Sequence, residues 1–383
     1  MKPNKEKSSL RMESLWMDAE NRIIQDIIRR IAKYGKITST ADYHINRLIE
    51  MGKSTEEVEK IIKDALKLTY PQMYELYDEV ANWEYVRNKD LYLQINGNFV
   101  PPEDNEQLKQ VSDAVKGQTA DELKNLAQSY GFSVKIGGKV VYLPFAEYYQ
   151  KYVDTAIMDI VSGAFDYNTV MRRVVAQMTN SGLRTVDYNG YSNRVSVAVR
   201  RSVLTGVSQI TGQINQQNAK KLGTNYYEVD WHAGARPEHR LWQGKVYSYE
   251  ELVSVCGLGT VTGLQGANCY HDYYPFVIGI SERNWTDEWL REQNKKEEQT
   301  KEWYGKELDA YGITQQQRKM ETAMRARRSK IVALKEGNVD KDIIIAEKAK
   351  YQGQLREYAL FCKKMGVKEQ RERIYMDMLG RIA

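Results

Sequence analysis

Helical spacing of apolar side chains dominates the first part of the chain. Intervals of three or four residues separate Trp16, Ala19, Ile23, Ile27 and Ile31. The motif STEE at 54–57 predicts a helix start with Ser54 as its N-cap, and helical spacing continues after Pro71. Residues 1–90 are therefore predicted to form a helical N-terminal region.

Residues 91–145 change to an alternation of apolar and polar side chains, which is the period of a β-strand. Two segments, LYLQINGNFVPPEDNEQ and GFSVKIGGKVVYLPF, contain the turn signals Asn96-Gly97 and Gly137-Gly138. We expect two hairpins around a helix near residues 119–129. This part of the chain is predicted to be a hairpin-containing segment.

A strong apolar stripe follows between residues 193 and 222. Steps of three or four residues separate Val195, Val199, Val203, Val207, Ile210 and Ile214, and this spacing predicts a long helix. The next segment, TNYYEVDWH, alternates like a strand, with Asp230 and His232 on one face and Trp231 on the other. Residues 146–281 are therefore predicted to form a central module with a small sheet.

The remaining residues, 282–383, are charged and again show helical spacing, interrupted by EGNVDKD at 336–342. Beyond that break the spacing puts Cys362 on an apolar helix face, which predicts a packing thiol. The whole pattern predicts a mainly α fold with a small central α+β module and long helices in the N- and C-terminal regions.

Composition argues against several classes of protein. The sequence contains no run of about 18 apolar residues, the length that would predict a membrane span. The start MKPNKEKSSLRMESLW lacks the apolar core of a signal peptide. We therefore expect synthesis in a cytoplasm. Three cysteines are too few for a disulfide scaffold. A net charge of +5 on 44.4 kDa is too mild to make the whole molecule a nucleic-acid clamp. The 27 tyrosines against 6 phenylalanines are typical of extensive protein contacts.

Histidine and cysteine cluster in one part of the sequence. The fourth histidine, His44, lies far away and is predicted to be a helix-packing residue. Together His232, His239, Cys269 and His271 offer the ligand types and number of a tetrahedral zinc site. The spacing H-x6-H plus C-x-H lacks the usual C-x2-C pairs. The alternative therefore stays open that His232 and His239 hydrogen-bond the loop backbone and Asp230.

Catalytic interpretations have less support in the sequence. Side chains two apart on a strand point in parallel, so Cys269 and His271 make a poor thiolate–imidazole pair. The glycine-rich segment CGLGTVTGLQG at 256–266 has neither the spacing nor the following helix of a phosphate-binding loop. We predict that the chain is not an enzyme. The alternative is a metal-dependent hydrolase or nuclease that uses His232, His239 and His271 around one ion.

The segment ARPEHRLWQGKVYS has the features of a rigid turn. Pro237 suits the first position of a short helical turn, and Gly244 permits a tight reversal before a short strand at 245–247. We expect Trp231 and Trp242 to pack over this turn.

A basic segment lies in the charged tail. RKMETAMRARRSK at 318–330 carries six basic residues and one acidic residue. The basic side chains are Arg318, Lys319, Arg325, Arg327, Arg328 and Lys330. They are candidates for contact with DNA phosphates or with an acidic partner, and a solvated helix face is the alternative.

A family resemblance covers both halves of the central module. DWHAGARPEHRLWQGKVYS (230–248) followed by GLQGANCYHDYYPFVIGIS (263–281) resembles the signature of the phage minor capsid protein 2 family. At greater distance it is similar to the head-morphogenesis proteins of the phage Mu F type, whose cysteine-rich, zinc-like pattern is not reproduced. The signature positions are Asp230, Trp231, His232, Arg236, His239, Trp242, Gln243, Gly244, Asn268, Cys269 and His271.

The resemblance implies a structural minor capsid protein of a tailed phage or prophage head, made in the bacterial host cytoplasm and carried in the virion. Implied partners are the portal and other capsid proteins at the inner capsid surface, with packaged double-stranded DNA nearby, and neither a membrane nor a small-molecule substrate. No enzyme is implied, and no role for individual signature residues. An effector delivered with the DNA ranks below these interpretations, because no C-terminal catalytic signature is present.

Overall fold

The computed structural model describes residues 3–37, 40–96, 98–187 and 190–382. Its helices are α1 (Lys5–Ile37), α2 (Thr40–Val86), α3 (Lys89–Asn96), α4 (Glu106–Leu126), α5 (Phe145–Tyr148), α6 (Asp154–Val161), α7 (Tyr167–Ser181), α8 (Val195–Leu222), α9 (Pro237–Arg240), α10 (Tyr249–Ser254), α11 (Asp287–Glu297), α12 (Ala310–Glu336), α13 (Lys341–Met365) and α14 (Glu372–Tyr375). The strands are β1 (Tyr130–Ile136), β2 (Lys139–Pro144), β3 (Arg184–Val186), β4 (Ser192–Arg194), β5 (Tyr226–Val229), β6 (Val246–Ser248), β7 (Tyr273–Phe276), β8 (Lys301–Trp303) and β9 (Lys306–Leu308). Long helices near both ends and small antiparallel sheets between them confirm the predicted fold class.

The chain divides into two compact units, and neither is continuous in sequence. Unit 1 consists of Met1–Ser9, Pro71–Glu122 and Arg201–Gln316, and unit 2 of Leu10–Tyr70, Leu123–Arg200 and Gln317–Ala383. The boundaries fall inside α1, α2, α4, α8 and α12, so each of these helices contributes residues to both units. The division into sequence regions at 1–90, 91–145, 146–281 and 282–383 stays a prediction.

The sheet of unit 1 positions both signature segments. Its strand order is β6-β5-β7, and both outer strands run antiparallel to β5. α8 packs against this sheet, since Asn215 Nδ2 donates to the carbonyl oxygen of Tyr273 (3.0 Å) and Gln216 Nε2 donates to its hydroxyl (2.8 Å). The first signature segment leaves the end of β5 and the second enters the start of β7, so their connecting ends lie side by side.

Helix packing in unit 1 depends on one glycine. The Tyr77 hydroxyl lies within hydrogen-bonding distance of Thr119 Oγ1 (3.0 Å) and of the Val203 carbonyl oxygen (3.1 Å). A Cβ atom at Gly206 would lie 2.0 Å from that hydroxyl oxygen. Glycine at this position of α8 therefore allows α2 to approach it closely.

Unit 2 contains a sheet of strand order β2-β1-β3-β4. Buried polar contacts connect its helices and strands. Trp16 Nε1 donates to Thr69 Oγ1 (3.0 Å), and the Glu20 carboxylate accepts from the backbone N–H of Leu183 (2.8 Å).

Both apolar stripes in the sequence become buried helix faces. The predicted set on α1, from Trp16 to Ile31, is at most 1% exposed. The same holds for the α8 stripe from Val195 to Ile214. Cys362 is buried in α13, which confirms its prediction as a packing thiol.

The predicted helix start at Ser54 is wrong. α2 begins at Thr40 and continues through both Ser54 and Pro71. The buried Ser54 hydroxyl donates to Asp26 Oδ2 (3.4 Å). It therefore connects α2 to α1 and does not cap a helix. The prediction for His44 concerns a side chain outside those that the structure describes.

The first predicted hairpin is also wrong, because the residues of its first arm form the helix α3. Tyr92 is buried and donates its hydroxyl to Asn218 Oδ1 (2.9 Å), and Phe99 stacks on Tyr85 with ring centroids 5.1 Å apart. These tertiary contacts favour a helix over the strand that the alternation predicted. Gly97 of the predicted turn lies outside the described residues.

The second hairpin is confirmed. β1 and β2 pair across Gly137 and Gly138, which both have positive φ. The helix expected near 119–129 is the end of α4. In the tail, the expected break separates α12 from α13, but the small pair β8–β9 interrupts a region predicted to be helical. Along the described residues, no helix has the length and apolar character needed to cross a bilayer.

Candidate functional site

The predicted ligands lie beside the sheet of unit 1, His239 in α9 and the other three in loops. β5 ends at Val229 and β7 begins at Tyr273, so Asp230, His232, Cys269 and His271 lie just outside the strands that the alternation predicted. Pairing nevertheless continues past the strands. The backbone N–H of Asp230 donates to the Asp272 carbonyl oxygen (3.0 Å), and the backbone N–H of Asp272 donates to Asp230 Oδ1 (2.8 Å). These two bonds hold the signature segments together.

The first segment forms the predicted rigid turn. Pro237 occupies the first position of α9, which presents His239 toward the second segment. Gly244 has φ +73°, and its N–H donates to the carbonyl oxygen of Val229 (3.0 Å). Only a residue without a Cβ adopts this reversal without strain, which confirms its predicted role. The predicted short strand follows as β6.

The second segment is held by Arg236. Its guanidinium donates to the carbonyl oxygen of Ala267 and lies 3.5 Å from that of Thr262. Asn268 has φ +56°, a left-handed conformation that asparagine tolerates better than most residues. The glycine-rich loop is therefore tightly turned and fixed to the first segment.

Three of the four predicted ligands converge. The ligand atoms of His239, Cys269 and His271 all lie within 4.8 Å of one another, and all three side chains are buried. Cys269 Sγ is 3.5 Å from His271 Nδ1 and 3.9 Å from His239 Nδ1. The outer nitrogen of each ring faces an oxygen: His239 Nε2 donates to the Thr262 carbonyl (2.8 Å), and His271 Nε2 donates to Gln243 Oε1 (2.8 Å).

Gln243 determines which nitrogen of His271 carries the proton. Its Oε1 also accepts from the backbone N–H of His232 (3.0 Å), and that group can only donate. The amide oxygen, not the amide nitrogen, therefore faces the cluster, and His271 must carry its proton on Nε2. The side chain is 1% exposed, so this arrangement is sealed from solvent.

His232 lies next to the cluster but outside the converging group. Its ring is 4.9 Å from the His271 ring, centroid to centroid. Its Nε2 faces the Tyr270 carbonyl oxygen (2.8 Å) and Asp230 Oδ2 (3.4 Å). The structure thus gives both His232 and His239 the backbone hydrogen bonds of the alternative interpretation. His239, Cys269 and His271 also have the arrangement of a ligand set.

The two tryptophans serve different contacts. Trp242 packs against the cluster, with its ring centroid 4.5 Å from that of His239 and 4.9 Å from that of His271. Trp231 instead contacts Trp289 edge to face, 4.9 Å between centroids. Only Trp242 therefore covers the turn as predicted.

Burial keeps the cluster neutral. It raises the pKa of Cys269 to about 11, and burial together with His232, His239 and Arg236 lowers the pKa of His271 to about 2. Burial also lowers the pKa of His239. For His232, burial opposes the charged ring, but the hydrogen bond and charge of Asp230 raise its pKa.

These properties suit a structural role better than a catalytic one. A thiol that stays protonated is a weak nucleophile. An imidazole that cannot take up a proton near neutral pH is a poor general base. What the cluster can do is hydrogen-bond internally or bind a cation that replaces the thiol proton.

Lys5 and Glu84 belong to a second buried polar group beside Asp272, which the sequence did not predict. Lys5 pairs with Asp272 and donates to Thr211 Oγ1 (3.3 Å). Glu84 is fully buried, and Arg87 lies 3.6 Å from it. Burial, followed by the charge of Asp272, raises the pKa of Glu84. Nothing local in the sequence relates Lys5 to a position 267 residues later.

The basic segment of α12 is engaged largely within unit 2. Arg328 is 1% exposed and bonds Asp377 at 2.7 Å and 3.1 Å, so it is inaccessible to DNA. Arg327 and Lys330 both pair with Glu347. The remaining members are Arg318, bonded to Glu321 and Gln370, Arg325, bonded to the carbonyl oxygen of Arg373, and the exposed Lys319.

The chain is similar to known phage proteins. A profile described as phage minor capsid protein 2 matches residues 3–359. A curated protein of Lactococcus phage LL-H, named "Structural protein", is 22% identical over 264 residues, which cover 64% of this chain and 68% of that protein. No solved structure matches the chain significantly.

Proposed function

Because the chain belongs to the phage minor capsid protein 2 family, we propose that it is a minor component of a phage head that assists head assembly at the portal or at the inner capsid surface. The observation that carries this proposal is the family match over residues 3–359, which includes almost every element of both units. The relative named a structural protein supports the same role. The virion is then its destination and the bacterial host cytoplasm its place of synthesis.

The chemistry of the signature supports a structural role. Its buried side chains bond to one another and to backbone carbonyl groups, as between His239 and Thr262 or between Arg236 and Ala267. Such contacts give a loop one fixed conformation. A fixed surface is what an assembly component needs in order to meet its partners in a single register.

Fractionation of virions tests the location. Virions of the phage that encodes the chain are purified, separated into heads and tails, and probed with an antibody against the chain. We expect it in the head fraction at low copy. Its absence from virions, or its presence in tails alone, would contradict the proposal.

Comparing DNA-free procapsids with filled heads separates the two proposed partners. Association with the portal or the capsid shell predicts that the chain is already present in procapsids. Pull-down with separately purified portal and shell proteins then identifies which of them binds. Presence in filled heads alone would instead point to packaged DNA as the main partner.

Contact with packaged double-stranded DNA is a separate part of this proposal. In the basic segment of α12, Lys319 is the exposed member. Phosphate contacts would make DNA affinity fall with salt, and removal of one contact lowers the slope of that dependence by about one unit. Measuring the salt dependence for Lys319→Ala and the unchanged chain therefore tests it, and equal slopes would remove Lys319 as a contact.

The arrangement of the three histidines does not favour the nuclease alternative. It requires His232, His239 and His271 around one ion that a phosphate can reach. His232 Nε2 is turned to Asp230 and Tyr270, and the other two rings are only 2% and 3% exposed. Metal-dependent DNA cleavage that disappears in His239→Ala would restore this alternative.

A further inference from the structure

We propose that His239, Cys269 and His271 bind one zinc ion through Nδ1, Sγ and Nδ1, and that this ion fastens the glycine-rich loop to the α9 turn. This inference does not depend on the role in the phage head. It rests on the convergence of three buried ligand atoms and on the hydrogen bonds behind them.

The spacing of the ligand atoms fits zinc. With Zn–S near 2.3 Å and Zn–N near 2.0–2.1 Å, tetrahedral coordination puts sulfur and nitrogen about 3.6 Å apart. The two distances in the structure are 3.5 Å from Cys269 to His271 and 3.9 Å from Cys269 to His239. Both sulfur–nitrogen distances are therefore within a few tenths of an ångström of those in a zinc site, and the ligand atoms all lie within 4.8 Å of one another.

Counting protons gives the second argument. The Thr262 carbonyl and Gln243 Oε1 can only accept, so both imidazoles carry their proton on Nε2 and direct a lone pair from Nδ1 toward Cys269. The thiol has a single proton to offer to these two lone pairs. Without an ion, one buried nitrogen is left without a donor, which is costly in a site sealed from water. A cation removes this mismatch, since all three atoms then donate lone pairs to it.

The outer hydrogen bonds are those of a metal site. Ligating histidines usually donate their second N–H to a carbonyl or carboxylate oxygen, which fixes the tautomer and the ring orientation. Both rings meet this condition here. In this arrangement Gln243 is a positioning residue, because it acts on the ion only through His271.

The ligand types select the class of cation. One sulfur and two imidazole nitrogens favour zinc and related late transition metals, whereas magnesium and calcium require oxygen ligands. The ion displaces the Cys269 proton, which passes to solvent, and forms the metal–sulfur bond in its place. His232 does not supply a fourth ligand, because its Nε2 is already engaged by the carbonyl oxygen of Tyr270.

A matched cysteine makes the proposal testable. Cys256 is also a buried, free cysteine of the same core, but it is not one of the converging ligands. Cys256→Ser therefore controls for loss of a buried thiol, and Cys269→Ser removes a ligand. Full-length chain without a polyhistidine tag is titrated with Co²⁺, which reports a thiolate ligand by a charge-transfer absorption band, and Zn²⁺ is then added as competitor.

We expect one Co²⁺ per chain with a thiolate band that Zn²⁺ abolishes. Cys256→Ser should behave like the unchanged chain, whereas Cys269→Ser should lose the band. In Gln243→Ala we expect the band to remain with an affinity about 10–100-fold lower, as for loss of other outer partners. Absence of binding by the unchanged chain, binding without a thiolate band, or retention of the band in Cys269→Ser would overturn the proposal. The first two outcomes are read on the unchanged chain, so a folding defect in a variant cannot obscure them.

Discussion

A Cβ atom on Gly244 would lie 2.5 Å from Leu290 Cδ2, so the reversal after α9 has no space for a side chain. The glycine also has φ +73°, which is unfavourable for any residue with a Cβ. Shape and backbone conformation therefore restrict this signature position to the same residue for two separate reasons.

Gly244→Ala and Gly305→Ala separate these two reasons. Gly305 has φ +75° with nothing within 4 Å of its Cβ position, so its replacement introduces backbone strain alone, about 1–2 kcal/mol. Gly244→Ala adds overpacking against Leu290, typically about 1–3 kcal/mol more. Urea unfolding of the full chain should show a larger drop in midpoint for Gly244→Ala. Equal drops would mean that Leu290 moves away freely.

The paired backbone at Asp230 and Asp272 supports a second prediction. In Asp230→Ala the buried N–H of Asp272 loses its acceptor, which costs about 1–3 kcal/mol. Asp230→Asn keeps an acceptor oxygen at the same place and should be less destabilising. Thermal unfolding compares the two variants. If both lose the same stability, the charge of Asp230 beside His232 matters more than the bond to Asp272.

Arg328 and Asp377 provide a third prediction, in unit 2. Removing one partner of a buried ion pair leaves the other charge buried without its ionic partner, which lowers the free energy of unfolding by about 3–5 kcal/mol. Arg328→Ala should therefore lower the unfolding temperature strongly. Lys319→Ala, at an exposed position of the same helix, should change stability by no more than about 0.5 kcal/mol. A mild effect of Arg328→Ala would show that solvent reaches Asp377.

Glu347 should make stability depend on pH. Burial works against its charge, but hydrogen bonds from Arg327, Lys330 and Lys350 outweigh that effect and lower its pKa to about 2. The folded pKa lies below the ordinary value of 4.5, so the stabilisation is complete above pH 4.5 and is lost as the pH falls toward 2.

Glu347→Gln checks this expectation. Urea midpoints of the variant and the unchanged chain should differ most at neutral pH, and the difference should shrink as the pH falls through 4.5 toward 2. A difference that stays constant over this range would show that packing of the Glu347 side chain, and not its charge, supplies the stabilisation.

Sequence reasoning succeeded where the signal is local and repeated. The stripes on α1 and α8 became buried faces because several turns of helix carry the same spacing. Pro237 and Gly244 were placed correctly because each depends on the conformation of its own backbone.

It failed where distant contacts decide the structure. Ser54 has the features of an N-cap but bonds Asp26 inside a longer helix, and the alternation near Tyr92 gave way to packing against Asn218. In the candidate site, the residue types were identified but not their arrangement. The orientation of His232 depends on Tyr270 and Asp230, and neither contact leaves a trace in the spacing of histidines.

The interleaved order of the two units has a consequence for synthesis on the ribosome. Unit 1 needs residues up to 316 and unit 2 needs the last helices, so neither can finish folding while the first 200 residues emerge. Lys5 precedes Asp272 by 267 residues. At about 5–20 residues per second, that separation is a wait of roughly 15–50 s. During this interval the apolar faces of α1 and α2 lack their later partners and stay exposed to solvent.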